Sequence, residues 1–175
     1  MEYTHKSVLL QECLDGLNIK PDGIYVDGTL GRAGHSREIA KRLTSGRLIG
    51  IDRDAAALEA APARLEGLMD RVTLVRGNFS QVGEILHQLG IAHVDGMLFD
   101  LGVSSPQLDE AARGFSYLQD APLDMRMDQS AALTAYDVVN GWSQEELKRI
   151  LWQYGEERYA GPIAAAIVRH RAQAP

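Results

Sequence analysis

Three aspartates stand where short apolar runs end: Asp27 after Ile24-Tyr-Val, Asp52 after Leu48-Ile-Gly-Ile, and Asp100 after Met97-Leu-Phe. Behind Asp27, Gly28, Gly31 and Gly34 follow at three-residue spacing, and a helix-like pattern begins at His35. Glycines at a strand-to-helix turn let backbone N–H groups close on a ligand with no Cβ in the way. The helix that follows presents its positive end to the same turn. The spacing is not G-x-G-x-x-G, and no G-K-[ST] occurs, which disfavours a phosphate-cradling loop. An acid aimed into such a turn suits a cation or a set of hydroxyls better than a pyrophosphate.

The other candidates extend that chemistry. Asp52 is placed to accept both hydroxyls of a ribose, a geometry that serves NAD and S-adenosylmethionine (AdoMet) alike. Its alternative, capping the next helix, falls more naturally to Asp54. AdoMet carries an ammonium, a sulfonium and a ribose, which fits acids at neighbouring strand ends. His35 opens the first crossover helix, where its backbone N–H is a better ligand contact than its imidazole. Phe79, in Gly77-Asn-Phe-Ser80, is placed to pack against an adenine face; core packing is the bland reading. Asp100 leads a polar loop, Asp100-Leu-Gly-Val-Ser-Ser-Pro-Gln107, where amine methyltransferases put an acid or amide. A carboxylate there holds the hydrogens of an exocyclic amine and frees the nitrogen lone pair. The Pro-Pro-aromatic that usually follows is missing, and a plain strand cap is the alternative. Further on, Arg113 and Arg126 are candidates for phosphates, with Phe115 or Tyr117 stacking a base. Internal pairing of Arg126 with Asp124 or Asp128 stands level with that reading.

Composition bounds the rest. The 175 residues suit a compact core, and a net charge of −6 argues against unaided nonspecific binding to nucleic acid. The lone Cys13 lies in an amphipathic pattern and is expected to be a small buried thiol. The first residues hold no signal-like apolar core, and no apolar run is long enough to span a membrane. A cytoplasmic protein is expected. No His/Cys/Asp cluster has metal-ligand spacing, and no serine or cysteine sits in a nucleophile context.

Positioning these residues requires alternating strands and helices. Strands are expected at Ile24–Asp27, Arg47–Ile51, Val72–Val75 and Val94–Phe99, and helices at Ser7–Leu17, His35–Leu43, Ala55–Leu68 and Val82–Leu89. Short apolar strands separated by helices imply βαβ units and a parallel α/β sheet. Residues 102–128 read as a long ordered loop. Ser143-Gln-Glu-Glu146 has capping-box spacing before a helix with Leu147, Ile150 and Leu151, and 161–174 is helical.

The segments Asp-Gly-Thr-Leu-Gly-Arg-Ala-Gly-His-Ser (27–36), Ile-Asp-Arg-Asp (51–54), Gly-Asn-Phe-Ser (77–80), Asp-Leu-Gly-Val-Ser-Ser-Pro-Gln-Leu-Asp (100–109), Arg-Gly-Phe-Ser (113–116), Pro-Leu-Asp-Met-Arg-Met-Asp (122–128) and Tyr-Gly-Glu-Glu-Arg (154–158) stand in a known order. It is that of the RsmH/MraW family, which the chain resembles over essentially its whole length. The resemblance implies a Rossmann-like class I AdoMet-dependent methyltransferase acting on N4 of a cytosine in the decoding region of 16S rRNA. It implies AdoMet contacts at Ala33, Gly34, His35, Asp52, Phe79, Asp100 and Gln107, with Asp100 also the catalytic residue. Ala33 replaces a commoner glycine, a mild change where only its backbone meets the cofactor. The small ribosomal subunit is the implied partner, with no metal and no membrane.

Family members are longer, with further strands and an Ile-Ser-Phe-His-Ser-Leu-Glu-Asp-Arg motif beyond a helical insert. The chain therefore reads as the N-terminal part of such an enzyme, with an incomplete sheet. Residues 1–105 would be the AdoMet-binding core, and 106–175 the loop and part of a substrate-recognition insert. A truncated, inactive fragment that still binds AdoMet or a partner is the alternative. A nicotinamide-dependent oxidoreductase ranks third.

Overall fold

The computed structural model describes residues 7–174. The chain divides between Ser104 and Ser105 into two compact units.

The first unit is built around four strands: β1 (Ile24–Asp27), β2 (Arg47–Asp52), β3 (Val72–Arg76) and β4 (Gly96–Leu98). All pairings are parallel, in the order β3-β2-β1-β4. Helices α1 (Leu10–Leu17), α2 (Gly34–Arg42), α3 (Ala55–Arg64) and α4 (Val82–Gln88) lie between and before them. Successive strand residues point to opposite faces, so β1, β2 and β3 feed two cores. Tyr25 and Leu48 pack with Leu14, Ile39, Leu43 and Leu65, whereas Val26, Ile49 and Ile51 pack with Ile85 and Leu86. Both faces being covered explains why these strands read as apolar runs. The result is a four-stranded parallel sheet between helices, the Rossmann-like α/β architecture expected. Strand order reverses between β1 and β4, and ligands of such sheets bind at that switch point, beyond the carboxyl ends of the strands.

Several boundaries differ from expectation, each for a local reason. β4 starts at Gly96, not Val94, because the Asp95 carboxylate turns back to accept from the Ile24 amide at 2.9 Å and from Lys20 Nζ at 2.9 Å. α1 starts at Leu10, because Leu9 is left-handed at φ 48°. α3 ends at Arg64, just past Pro62, and left-handed Gly67 (φ 75°) turns the chain before Leu68. Cys13 is only half-buried; the fully buried position of α1 is its neighbour Leu14.

The second unit is helical. The stretch expected as loop contains a short helix, α5 (Ser105–Asp109), and a helical turn at Ala111–Arg113. Then come α6 (Ala135–Gly141), α7 (Gln144–Gln153) and α8 (Ala160–Arg171). The expected capping box at Ser143 and Glu146 is present, and Thr134 with Asp137 forms a second at α6. Leu147, Ala160 and Ala164 are its most buried apolar residues.

Candidate functional site

The glycine loop of the first unit joins β1 to α2 and is tied to the strand ends on both sides. Towards β2, Leu30 N–H donates to the Ile51 carbonyl at 3.0 Å, and Gly31 N–H to Asp52 Oδ2 at 2.8 Å. Towards β4, Gly28 N–H donates to the Leu98 carbonyl at 2.9 Å, and Thr29 Oγ1 accepts from the Asp100 amide at 2.7 Å. At Gly28 a Cβ would collide with the Phe99 ring, so only glycine allows that ring to cross the turn. Gly31 (φ 49°) and Ala33 (φ 58°) are left-handed and turn the chain into α2. For Ala33 that conformation costs roughly 1–2 kcal/mol relative to glycine. The alanine is therefore less neutral than a role through its backbone alone would suggest.

Of the three strand-end acids, two stand at the ligand edge and one does not. Asp27 is 1% exposed; its Oδ2 accepts from Ser36 Oγ at 2.6 Å and its Oδ1 from the Thr29 amide at 3.1 Å. Burial pushes its carboxyl above the usual carboxylate range, against the pull of Ser36 and Thr29. The expectation of an acid aimed into the turn thus fails for Asp27, which braces the turn from beneath. Asp52 is half-buried and accepts from Gly31 N–H and, through Oδ1 at 2.9 Å, from Asp54 N–H. Each carboxylate oxygen has a second lone pair, so Asp52 keeps acceptor capacity for two hydroxyls. Asp54, as expected, caps α3 by accepting from Ala56 N–H. Asp100 is exposed at the end of β4.

His35 is buried, and its Nε2 lies 2.9 Å from the Val8 carbonyl, so the imidazole ties down the chain ahead of α1. Its backbone stays in the first turn of α2, the part the sequence favoured. Gly34 has Ser7 Oγ packed against the place a Cβ would fill. Phe79 follows β3, half-buried, and meets Phe99 edge-on with centroids 5.6 Å apart. The first unit therefore gathers Ala33, Gly34, His35, Asp52, Phe79 and Asp100 at the carboxyl edge of its sheet. Gln107 belongs to the second unit, buried on α5. Thr29, which links this loop to Asp100, went unnoticed in the sequence; a polar residue between two loop glycines was its only signal.

The arginines considered for phosphate contact are turned inward. Arg126 Nε and Nη2 grip Asp124 at 2.9 and 2.6 Å, and Nη1 donates to the Gln129 and Ala131 carbonyls. Beside it, Asp124 is drawn down to about 2 by the Arg126 hydrogen bonds. Arg113 is 3% exposed and donates from Nη2 to the carbonyls of Arg126 and Met127. Tyr117, in contrast, is 96% exposed.

The profile described as the MraW methylase family matches residues 2–175. A protein named ribosomal RNA small subunit methyltransferase H from Brevibacillus brevis is 57% identical over 176 residues, which is 100% of this chain and 56% of that protein. Its namesake in Lachnospira eligens is 60% identical, again over 100% of this chain and 56% of its own length. The chain spans about half the length of the curated relatives it matches.

Proposed function

The chain belongs to the MraW methylase family, and from that premise we infer that it carries the AdoMet site of a methyltransferase acting on N4 of a cytosine in 16S rRNA. The small ribosomal subunit in the cytoplasm is the setting we propose. The observation that carries the reading is the glycine loop held between two acid-bearing strand ends, with Asp52 on one side and Asp100 on the other.

The residues suit that cofactor. The amides of Gly34 and His35, in the first turn of α2, would hold its carboxylate end, with Ala33, whose own amide donates to the Leu30 carbonyl at 2.7 Å, lining that turn. Asp52 would take the ribose hydroxyls and Phe79 the adenine face. For Gln107, on α5 of the second unit, a cofactor contact is suggested by family position alone. When bound, AdoMet supplies an electrophilic methyl group on a sulfonium. Asp100 does the acceptor's half of the chemistry. Its carboxylate accepts hydrogen bonds from the exocyclic amine, keeps the nitrogen lone pair directed forward, and takes the proton the amine sheds. Positioning of this kind supplies much of the rate in a bimolecular transfer. Exposed Tyr117 is available to stack a nucleobase.

Two substitutions separate the roles. Asp52→Ala is expected to weaken AdoMet by about 1.5–3 kcal/mol, the value of hydrogen bonds to a charged group. Asp100→Asn is expected to slow transfer at saturating AdoMet while changing affinity less. Calorimetry on each variant and methyl transfer to small ribosomal subunits provide the two readouts. Binding of NAD but not AdoMet by the unaltered chain would sink the reading.

A further inference from the structure

We propose that Thr29 is a positioning residue that fixes Asp100 relative to the glycine loop. The proposal rests on the functional reading above and adds to it a residue that does not itself meet cofactor or substrate.

Thr29 is used in two directions at once. Its amide donates to Asp27 Oδ1 at 3.1 Å, and its hydroxyl oxygen accepts from the Asp100 amide at 2.7 Å. Asp27 in turn accepts from Ser36 Oγ at 2.6 Å, and Ser36 lies in the first turn of α2. Three consecutive hydrogen bonds therefore refer the backbone of residue 100 to the helix whose N-terminus borders the loop. Asp27 is a firm anchor, because a 1% exposed carboxylate that lost these donors would be left unpaired in the core.

The position needs such a link. Asp100 is exposed, and Leu101 and Val103 beyond it are 68% and 43% exposed, so little packing steadies this end of β4. The strand ends are held together independently by Gly28 N–H on the Leu98 carbonyl and by the Phe99 ring over Gly28. Losing the Thr29 hydroxyl should therefore leave the loop folded and release residue 100 alone. A shift of about 1 Å in a group that aligns an attacking atom is enough to cost a large factor in rate, roughly a hundredfold.

The test compares Thr29→Val, which keeps the shape and removes the acceptor, with Thr29→Ser, which keeps the acceptor. In Thr29→Val, amide hydrogen exchange at Asp100 is expected to speed up about tenfold or more while that of Gly28 does not change. AdoMet affinity should stay within about threefold, and methyl transfer to small subunits should fall roughly 10- to 100-fold. Thr29→Ser should restore both exchange and rate. Unchanged exchange at Asp100 in Thr29→Val, or a loss of rate that serine does not restore, would overturn the proposal. The exchange readout requires no catalysis, so it decides the role of Thr29 even where the unaltered chain fails to bind AdoMet, the outcome that counts against the functional reading.

Discussion

Two loops of this protein each carry a left-handed glycine and have acids in or beside them, yet they are held by opposite means. The loop from Gly28 to Ala33 is fastened by backbone amides and by hydroxyls of Thr29 and Ser36, and the acids at the strand ends beside it, Asp52 and Asp100, retain acceptor capacity towards solvent. The loop around Arg113–Thr134 is fastened by guanidinium groups that spend their donors on its own carbonyls and on Asp124. One loop keeps its charges for something outside it. The other consumes them in holding its own shape. Charged residues in a loop are thus no index of function until their hydrogen bonds are counted.

The glycines give the largest expected difference. Gly114 has φ 72°, and a Cβ there would lie 2.5 Å from the Pro122 carbonyl oxygen and 2.7 Å from the Asp124 amide, both immovable backbone. Gly31 has φ 49° but no atom nearer than 3.8 Å. Gly114→Ala is therefore expected to destabilise the second unit by about 2–4 kcal/mol, and Gly31→Ala the first by only about 1–2 kcal/mol. Trp142 and Trp152 both lie in the second unit, so their emission during urea unfolding reads that unit, while exchange at Val26 and Ile49 reads the sheet. Equal losses from the two substitutions would break the contrast.

A smaller effect separates the two loops by function. If Arg126 is a clasp, Arg126→Ala should lower the stability of the second unit, by an amount reduced by its partial exposure. It should leave the salt dependence of RNA binding as it was, because a residue that contacts no phosphate releases no counterion. A fall of about one in the slope of log K against log salt would show that Arg126 leaves Asp124 for a phosphate in the complex.

Much of this was legible in the residues, for reasons that can be named. The strands announced themselves because burial on both faces forces unbroken apolar runs such as Leu48–Ile51. Asp54 and Ser143 declared their caps through spacing alone. The same spacing at Thr134 and Asp137 would have placed α6. What spacing could not reveal was direction. Asp27 and Asp52 occupy equivalent strand ends, yet Ser36 on the following helix draws Asp27 inward, a contact fixed only once α2 packs on the sheet. Arg113 was open to the same error, because its partners are carbonyls thirteen and fourteen residues away.

Acid should reveal the smallest and sharpest difference, since the two loops respond to protons with opposite sign. Asp124 in the folded protein lies at about 2, below its ordinary 3.8, because of Arg126. A carboxylate lowered by folding contributes stability above its unfolded value and loses it as pH falls towards its folded one. The second unit should thus weaken between pH 3.8 and about 2. Asp137 and Glu146, held low by Thr134 and Ser143 in their capping boxes, act in the same direction. Asp27 runs the other way: burial raises it, so its charge burdens the first unit above its folded value, and that burden eases as pH falls towards 3.8. The expected sizes are modest, because Asp124 and Arg126 are partly exposed and screened by salt. Tryptophan emission should show Asp124→Asn flattening the acid limb of the second unit, whereas exchange at Val26 should show Asp27→Asn removing the relief in the first. Acid curves that run parallel in the two units, and that Asp124→Asn leaves unaltered, would mean that the arginine clasp and the buried brace respond to protons alike.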